Sequence, residues 1–418
     1  MPPSPPPFPL ALDLSWLWTP LLLLTLGGVA VGRIPRWRMN RATIALVGAV
    51  GLILTGALTL DQAFRAIDLN TLALLLGMMI LNANLRIAGF FRLAAGVIAR
   101  HAGSPTQLLA WTIAVAGGLS ALFLNDTVVL ILTPLLLETV FALGRHPLPY
   151  LVALGVAANV GSAATIIGNP QNMLIGMASG IPFLEFAQRL APVSLGGMLL
   201  AWGVIRWVYR RELALVLPPR PPEARGRVIL YRPLLRKSLI AAALLLAGLL
   251  IGVPIPLAAL TAASLLLLTR RIKPERVFVE IDWGLLLFFA GLFVVTRALE
   301  SSGLGEGLLQ AMRHWAQGGV PALTAAAAIL SNVVSNVPAV LLFRPLIGEL
   351  ADPQQAWLVL AMASTLAGNL TLLGSVANLI VAEAARSRGF HLSFGGFLRG
   401  GVPVTLLTLA WGAWWLGG

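Results

Sequence analysis

An asparagine and a carboxylate side by side, Asn125-Asp126, interrupt an apolar stretch that otherwise runs from Leu108 to Phe141. Hydrocarbon makes such a pair costly, and membrane segments retain it where it faces a cavity, a partner or a substrate path. A straight crossing takes roughly 20 apolar residues. Here two apolar arms, 108–122 and 128–143, meet at the polar tip Leu124-Asn125-Asp126-Thr127. That pattern predicts a re-entrant hairpin whose non-helical tip lies at membrane depth, shielded by protein.

The remainder of the chain points to the same class. Of 418 residues, 58% are hydrophobic and 11% charged, whereas soluble domains carry about 25% charged residues. A polytopic helical membrane protein, multi-pass in the cell (plasma or inner) membrane, is expected. The formal charge of +13 comes from arginines in short clusters between apolar runs, the pattern that sets topology. No basic stripe interleaves with aromatics, so nucleic acid is not an expected partner. Cysteine is absent, which excludes disulfides, thiolate metal sites and thiol nucleophiles. His101, His146, His314 and His391 are scattered and form no metal-binding pair. Neither a Gly-x-Ser-x-Gly elbow nor a nucleotide-binding loop is present. The chain therefore reads as neither an enzyme nor an ATPase, with no catalytic residue, metal or cofactor expected. A separate ATPase subunit and a homodimer stay open as partners. The proline-rich start, 1–13, reads as a disordered tail.

Apolar runs predict about ten crossings of membrane length. They lie near 14–32, 43–60, 71–87, 148–177, 193–207, 238–253, 256–269, 284–299, 355–385 and 397–416. Those at 148–177 and 355–385 are interrupted helices, and 108–143 and 322–350 read as hairpins. Self-similarity divides the chain further. A shift of 214 places Ala45 on Ala259, Asp68 on Asp282, Gly77 on Gly291 and Gly89 on Gly303. A shift of 206 places Thr165, Gly168 and Asn172 on Thr371, Gly374 and Asn378. We read a duplication, with repeats over 14–209 and 238–418 joined by a hydrophilic linker at 210–237.

Charge orients the halves. The clusters Arg33, Arg36, Arg38 and Arg41, and 206–237, are expected in the cytoplasm. The loop 61–66 then falls outside, while its counterpart 275–280, preceded by Arg270, Arg271 and Lys273, falls inside. Equivalent segments on opposite sides make an inverted repeat, the plan of many secondary transporters, with the substrate site at the midplane. Both termini are expected outside, the first hairpin entering from the cytoplasm and the second from outside.

Four polar elements are expected to converge there. The second hairpin carries Ser331-Asn332-Val333-Val334-Ser335-Asn336-Val337-Pro338, with Asn336 matching Asn125. The interrupted helices carry Asn159 to Asn172 and Asn369 to Asn378. Gly168 permits positive φ and Pro170 removes a backbone donor, so the first helix should unwind there and restart at about Gln171. Half-helix N-termini favour an anion or polar oxygen, while freed carbonyls and amide oxygens hold a cation or a donor. Asn125, Thr127, Asn159, Thr165, Gly168, Asn169, Asn172, Ser335, Asn336, Thr371, Gly374, Ser375 and Asn378 are the candidate substrate contacts. Asp126, the acid at the tip, reads as a proton or sodium carrier, as a partner for a cationic substrate, or as the partner of Arg344. Arg344 itself either serves coupling, draws an anion inward or snorkels to the surface. Asp68 and Asp282 read as helix caps.

These residues together resemble the ion transporter superfamily. It includes ArsB-type arsenite/antimonite permeases, divalent anion/sodium symporters, citrate transporters and NhaD-type sodium/proton antiporters. Residues 121–126 followed by 130–134 look most like the ArsB-type first hairpin. Residues 167–172 and 334–338 resemble signature loops of related anion permeases. The sodium/carboxylate branch has Ser-Asn-Thr at both tips, and here Leu124-Asn125-Asp126-Thr127 and Ser335-Asn336-Val337 depart from it. The resemblance implies a secondary active transporter of a small inorganic oxyanion or its neutral acid. Arsenite/antimonite efflux by proton antiport is its leading case. A sodium-coupled anion symporter or a sodium/proton antiporter is the alternative.

Overall fold

The computed structural model describes residues 15–34, 38–218, 230–268, 272–302, 313 and 318–418. The expected tail, Arg36, Arg270, Arg271, Gly303 and His314 lie outside the described residues. Helices dominate. They run as α1 (Ser15–Val31), α2 (Arg41–Leu54), α3 (Leu60–Ala66), α4 (Leu69–Ala88), α5 (Phe90–Arg100), α6 (Pro105–Leu122) and α7 (Asn125–Ala142). Next come α8 (Leu148–Ser162), α9 (Pro170–Ser179), α10 (Phe183–Val208), α11 (Arg210–Ala214), α12 (Arg232–Leu250), α13 (Ile255–Leu267), α14 (Pro274–Phe278) and α15 (Trp283–Ser301). The last are α16 (Gly319–Val334), α17 (Asn336–Ile347), α18 (Pro353–Ala367), α19 (Val376–Ser387) and α20 (Phe394–Gly417). Among the described residues the one sheet is the two-residue pairing of β1 (Arg33–Ile34) with β2 (Met39–Asn40). Six helices, α4, α6, α7, α10, α12 and α15, are long and apolar enough to cross a membrane. The chain is an all-α, multi-pass membrane protein.

Several expected boundaries move, each for a local reason. Helix α10 starts at Phe183, not near 193, because its first turns are amphipathic. Phe183, Phe186 and Leu190 are buried while Leu184 is exposed, so the segment lacks a continuous apolar run. The expected loop 61–66 is helical, closed by a capping box in which Thr59 and Gln62 exchange side-chain-to-backbone hydrogen bonds. Helix α5 lay outside the expected spans for the same reason as the start of α10: Phe91, Ala95 and Ile98 form its single buried stripe. The expected linker is helical at both ends, over α11 and from Arg232 onward.

The chain forms two compact units. One gathers α1–α3 with α15, the other α4–α14 with α16–α20. In the first unit α2 packs on α15, and in the second α13 packs on α4. These two contacts are repeat counterparts. A Cβ at Gly77 would meet the Ala259 carbonyl carbon at 2.8 Å, and one at Gly291 would meet that of Ala45 at 2.8 Å. The same glycine-on-alanine contact is made twice, by residues that the 214 shift superposes. In a membrane, close backbone approach through small residues is what draws helices together.

Within the second unit the equivalent helices run in opposite directions. The Tyr209 hydroxyl, at the end of α10, donates to the Gly396 carbonyl at the start of α20 over 2.6 Å. At the other end the Trp415 indole donates to the Arg189 carbonyl over 3.1 Å. The interrupted helices are likewise antiparallel. The His146 ring, just before α8, meets the Phe390 ring beyond α19, and Gln354 at the start of α18 bonds Glu185 just past α9. The base of the first hairpin lies at the end of α19, where Glu138 pairs with Arg388 at 2.9 Å.

Candidate functional site

Both hairpins turn in very few residues, and each second arm begins on its asparagine. Phe123 and Leu124 separate α6 from α7, which starts at Asn125. The Phe123 ring packs edge-on against Phe90 and Phe91 at 5.5 and 6.0 Å, fixing the turn. Ser335 alone separates α16 from α17 and takes φ +79°, a conformation costly for a residue with a Cβ. Pro338 falls in the first turn of α17, where its missing N–H breaks no helical hydrogen bond.

The helix interruptions sit beside these turns. Residues 163–169 separate α8 from α9, which restarts at Pro170 with Asn169 as cap; Asn169 Oδ1 accepts from the Asn172 N–H at 2.8 Å. Residues 368–375 separate α18 from α19, with Ser375 as cap. Gly168 does not have positive φ. Its constraint is space: a Cβ would lie 2.4 Å from the Ser162 carbonyl oxygen and 2.8 Å from that of Ser120. That closeness lets the first tip seat on the break. The Asn125 N–H donates to the Gly168 carbonyl over 3.0 Å, and the Thr165 hydroxyl donates to the Ala121 carbonyl.

Side-chain amides then join tip to break and break to break. Asn159 is the hub: its Oδ1 accepts from Asn125 Nδ2 at 3.1 Å and from Ser375 Oγ at 3.0 Å, and its Nδ2 donates to Asn369 Oδ1 at 2.8 Å. Thr365 is the counterpart of Asn159 under the 206 shift. It accepts from Asn169 Nδ2 at 3.3 Å and Gln171 Nε2 at 3.2 Å, and donates to Asn172 Oδ1 at 3.3 Å. Asn159 with Ser375 and Thr365 with Asn169 are thus one contact made twice. Asn172 Nδ2 donates to the Ser162 carbonyl at 3.2 Å, and its counterpart Asn378 donates to the Gly368 carbonyl at 3.0 Å. In the second hairpin, Ser331 Oγ donates to Asn336 Oδ1 at 2.6 Å and to the Ser364 carbonyl at 3.1 Å.

The symmetry is incomplete in a chemically useful way. Asn172 Oδ1 has its donor in Thr365, whereas Asn378 Oδ1 is buried and has no partner among the described residues. Asn332 Oδ1 is in the same state and would lie 3.0 Å from a Cβ on Gly374. The first break is wholly buried, while Asp126, Thr127, Ser335, Asn336, Thr371 and Gly374 are half-buried. Arg344 is exposed in the last turn of α17, and no salt bridge links it to Asp126 among the described residues. No group of histidines and acids suited to a metal ion occurs among the described residues. Asp68 and Asp282 stand immediately before α4 and α15.

Sequence reasoning left Thr365, Gln171, Asn332 and Asn369 out of the candidate contacts, although each bonds within this network. The repeat was the available signal for Thr365, since it superposes on Asn159.

Comparison with known proteins places the chain. The family model described as citrate transporter (CitMHS) matches residues 21–367. An uncharacterized transporter of Mycobacterium tuberculosis is 31% identical over 403 residues, covering 91% of this chain and 94% of that protein. The silicon efflux transporter LSI3 of Oryza sativa subsp. japonica is 30% identical over 449 residues, covering 91% and 93%. In fold, the chain is similar to the Neisseria gonorrhoeae efflux pump MtrF, with a TM-score of 0.59 at 14% identity, over 98% of this chain and 95% of that one. With a family match across most of its length and helices built to span a membrane, the protein is a secondary transporter that belongs to the citrate transporter family, CitMHS.

Proposed function

We propose that this transporter exports a small inorganic oxyacid in its neutral form, arsenite or antimonite first, in exchange for protons. The observation that carries the reading is the make-up of the network. It consists of amides, hydroxyls and one carboxylate, with the acceptors Asn332 Oδ1 and Asn378 Oδ1 lacking donors among the described residues. A neutral hydroxy acid supplies O–H donors to such oxygens and needs no compensating cation. A desolvated anion would call for one. A relative described as a silicon efflux transporter supports export of a small inorganic solute. The tips would enter the membrane as re-entrant hairpins, with Asn125, Asn336 and the two breaks around the solute and Asp126 taking the coupling proton.

The test is uptake of arsenite into everted vesicles under an imposed pH gradient. Uptake should follow the gradient, ignore sodium, and lose its pH dependence in Asp126→Asn. Full pH dependence in that variant overturns the coupling role of Asp126. The citrate description of the family favours a second reading, sodium-coupled anion symport. Flux that requires sodium and ignores arsenite selects it.

A further inference from the structure

A basic concavity lies where α10 ends. An open cavity of about 380 Å³ is lined by Trp207, Val208, Arg210, Arg211 and Arg399. Leading to it along α10 are Leu195 and Leu199, 60% and 72% exposed, and then Trp207, 71% exposed. Gly203, between them, leaves open space. At 1.5 Å per residue the stripe from Leu195 to Trp207 is about 18 Å long. That is enough to follow an acyl chain through one leaflet of a bilayer with roughly 30 Å of hydrocarbon.

One of the lining arginines is held by its neighbours. Tyr209 is fully buried, and the Arg399 guanidinium sits 5.3 Å over its ring while pairing with Glu212 at 2.7 Å. Burial alone would raise the Glu212 carboxyl. The hydrogen bond and charge of Arg399, with His146 nearby, instead hold it below the usual carboxylate range. Arg399 is therefore committed. Arg210 and Arg211 are exposed and form no ion pair among the described residues. Two guanidiniums without an ion pair among the described residues and a third held by Glu212, at the head of an apolar stripe and beside an exposed tryptophan, suit one kind of molecule.

We propose that this cavity holds the phosphodiester headgroup of an anionic phospholipid, with Arg210 and Arg211 on its phosphate oxygens and an acyl chain along Leu195 and Leu199. Guanidinium forks match phosphate geometry, tryptophan settles at the headgroup level, and basic pockets at helix ends on a cytoplasmic face bind acidic headgroups. The charge bias of 206–237 puts this end of α10 on the cytoplasmic side. A soluble phosphate would use the arginines but gain nothing from the leucines and Trp207.

The experiment uses the full chain purified in neutral detergent. Phosphatidylglycerol, phosphatidylcholine with the same chains, or inorganic phosphate is added, and retained lipid is counted by native mass spectrometry alongside thermal unfolding. Phosphatidylglycerol should be retained and should raise the unfolding temperature. Arg210→Gln/Arg211→Gln should weaken its binding by about thirtyfold, from roughly one surface-charge contribution per arginine. Stability of that variant in phosphatidylcholine should be unchanged. If the double variant does not fold, Arg211→Gln alone should read about fivefold. Wild-type retention of phosphatidylglycerol by the variants, or equal protection by inorganic phosphate, overturns the proposal.

Discussion

Asn159 is one side chain with four hydrogen-bonding valences, and three of them are spent on other elements: Asn125 at a hairpin tip, and Asn369 and Ser375 in the opposite break. Leucine at this position has the same branching but no polar atoms, and it would remove the partner of Asn125 Nδ2, Asn369 Oδ1 and the Ser375 hydroxyl proton. Each such group in a membrane protein costs about 0.6–2 kcal/mol. Asn159→Leu should therefore lower unfolding stability by about 2–4 kcal/mol. Asn82 is the control. It is 2% exposed, yet neither of its amide atoms bonds another described residue, so Asn82→Leu should be neutral or stabilising. Thermal or denaturant unfolding in one detergent checks both. Equal losses for the two would mean that the network contributes no more than any buried amide.

At the scale of the element, the hairpins and interruptions were legible because polar and helix-breaking residues are rare in apolar sequence. Their chemistry was misjudged at one point. Gly168 reads as a conformational hinge, but its role is clearance against two carbonyl oxygens, and no property of an isolated glycine distinguishes the two. Likewise α5 and the start of α10 escaped notice because a single buried stripe does not register as a continuous apolar run. Thr365 escaped because a threonine between serine and leucine in an otherwise apolar run resembles any packing residue. The distinction at Gly168 is testable. Gly168→Ala pushes a methyl into backbone that cannot yield without lifting the hairpin off the break, at a cost of about 1–3 kcal/mol or more. Its counterpart Gly374 would meet Asn332 Oδ1 and the Gly368 carbonyl oxygen at 3.0 Å. The first of these is a side-chain oxygen with no hydrogen-bond partner among the described residues, and both contacts are longer than those at Gly168, so Gly374→Ala should cost less. Paired unfolding curves decide. Equal destabilisation would mean that the tighter clearance at Gly168 does not set its cost.

For the whole molecule, duplication explains why one contact recurs with different residues. An amide on Asn159 meets a hydroxyl on Ser375, and a hydroxyl on Thr365 meets an amide on Asn169. Such a pair can be rebuilt by each half only if the halves face each other in opposite senses. The antiparallel run of α10 against α20 and the opposed interrupted helices meet that condition. The two ends of this arrangement should then lie on opposite sides of the membrane. The chain has no cysteine, so a single introduced thiol can be read without background. Leu184 follows the first interrupted helix and Ser387 ends the second, and both are exposed. From the arginine bias, Leu184→Cys should react with a membrane-impermeant maleimide added to intact cells. Ser387→Cys should react only after permeabilisation. Labelling of both from one side would contradict the inversion, and with it the alternating access that two opposed halves make mechanically simple.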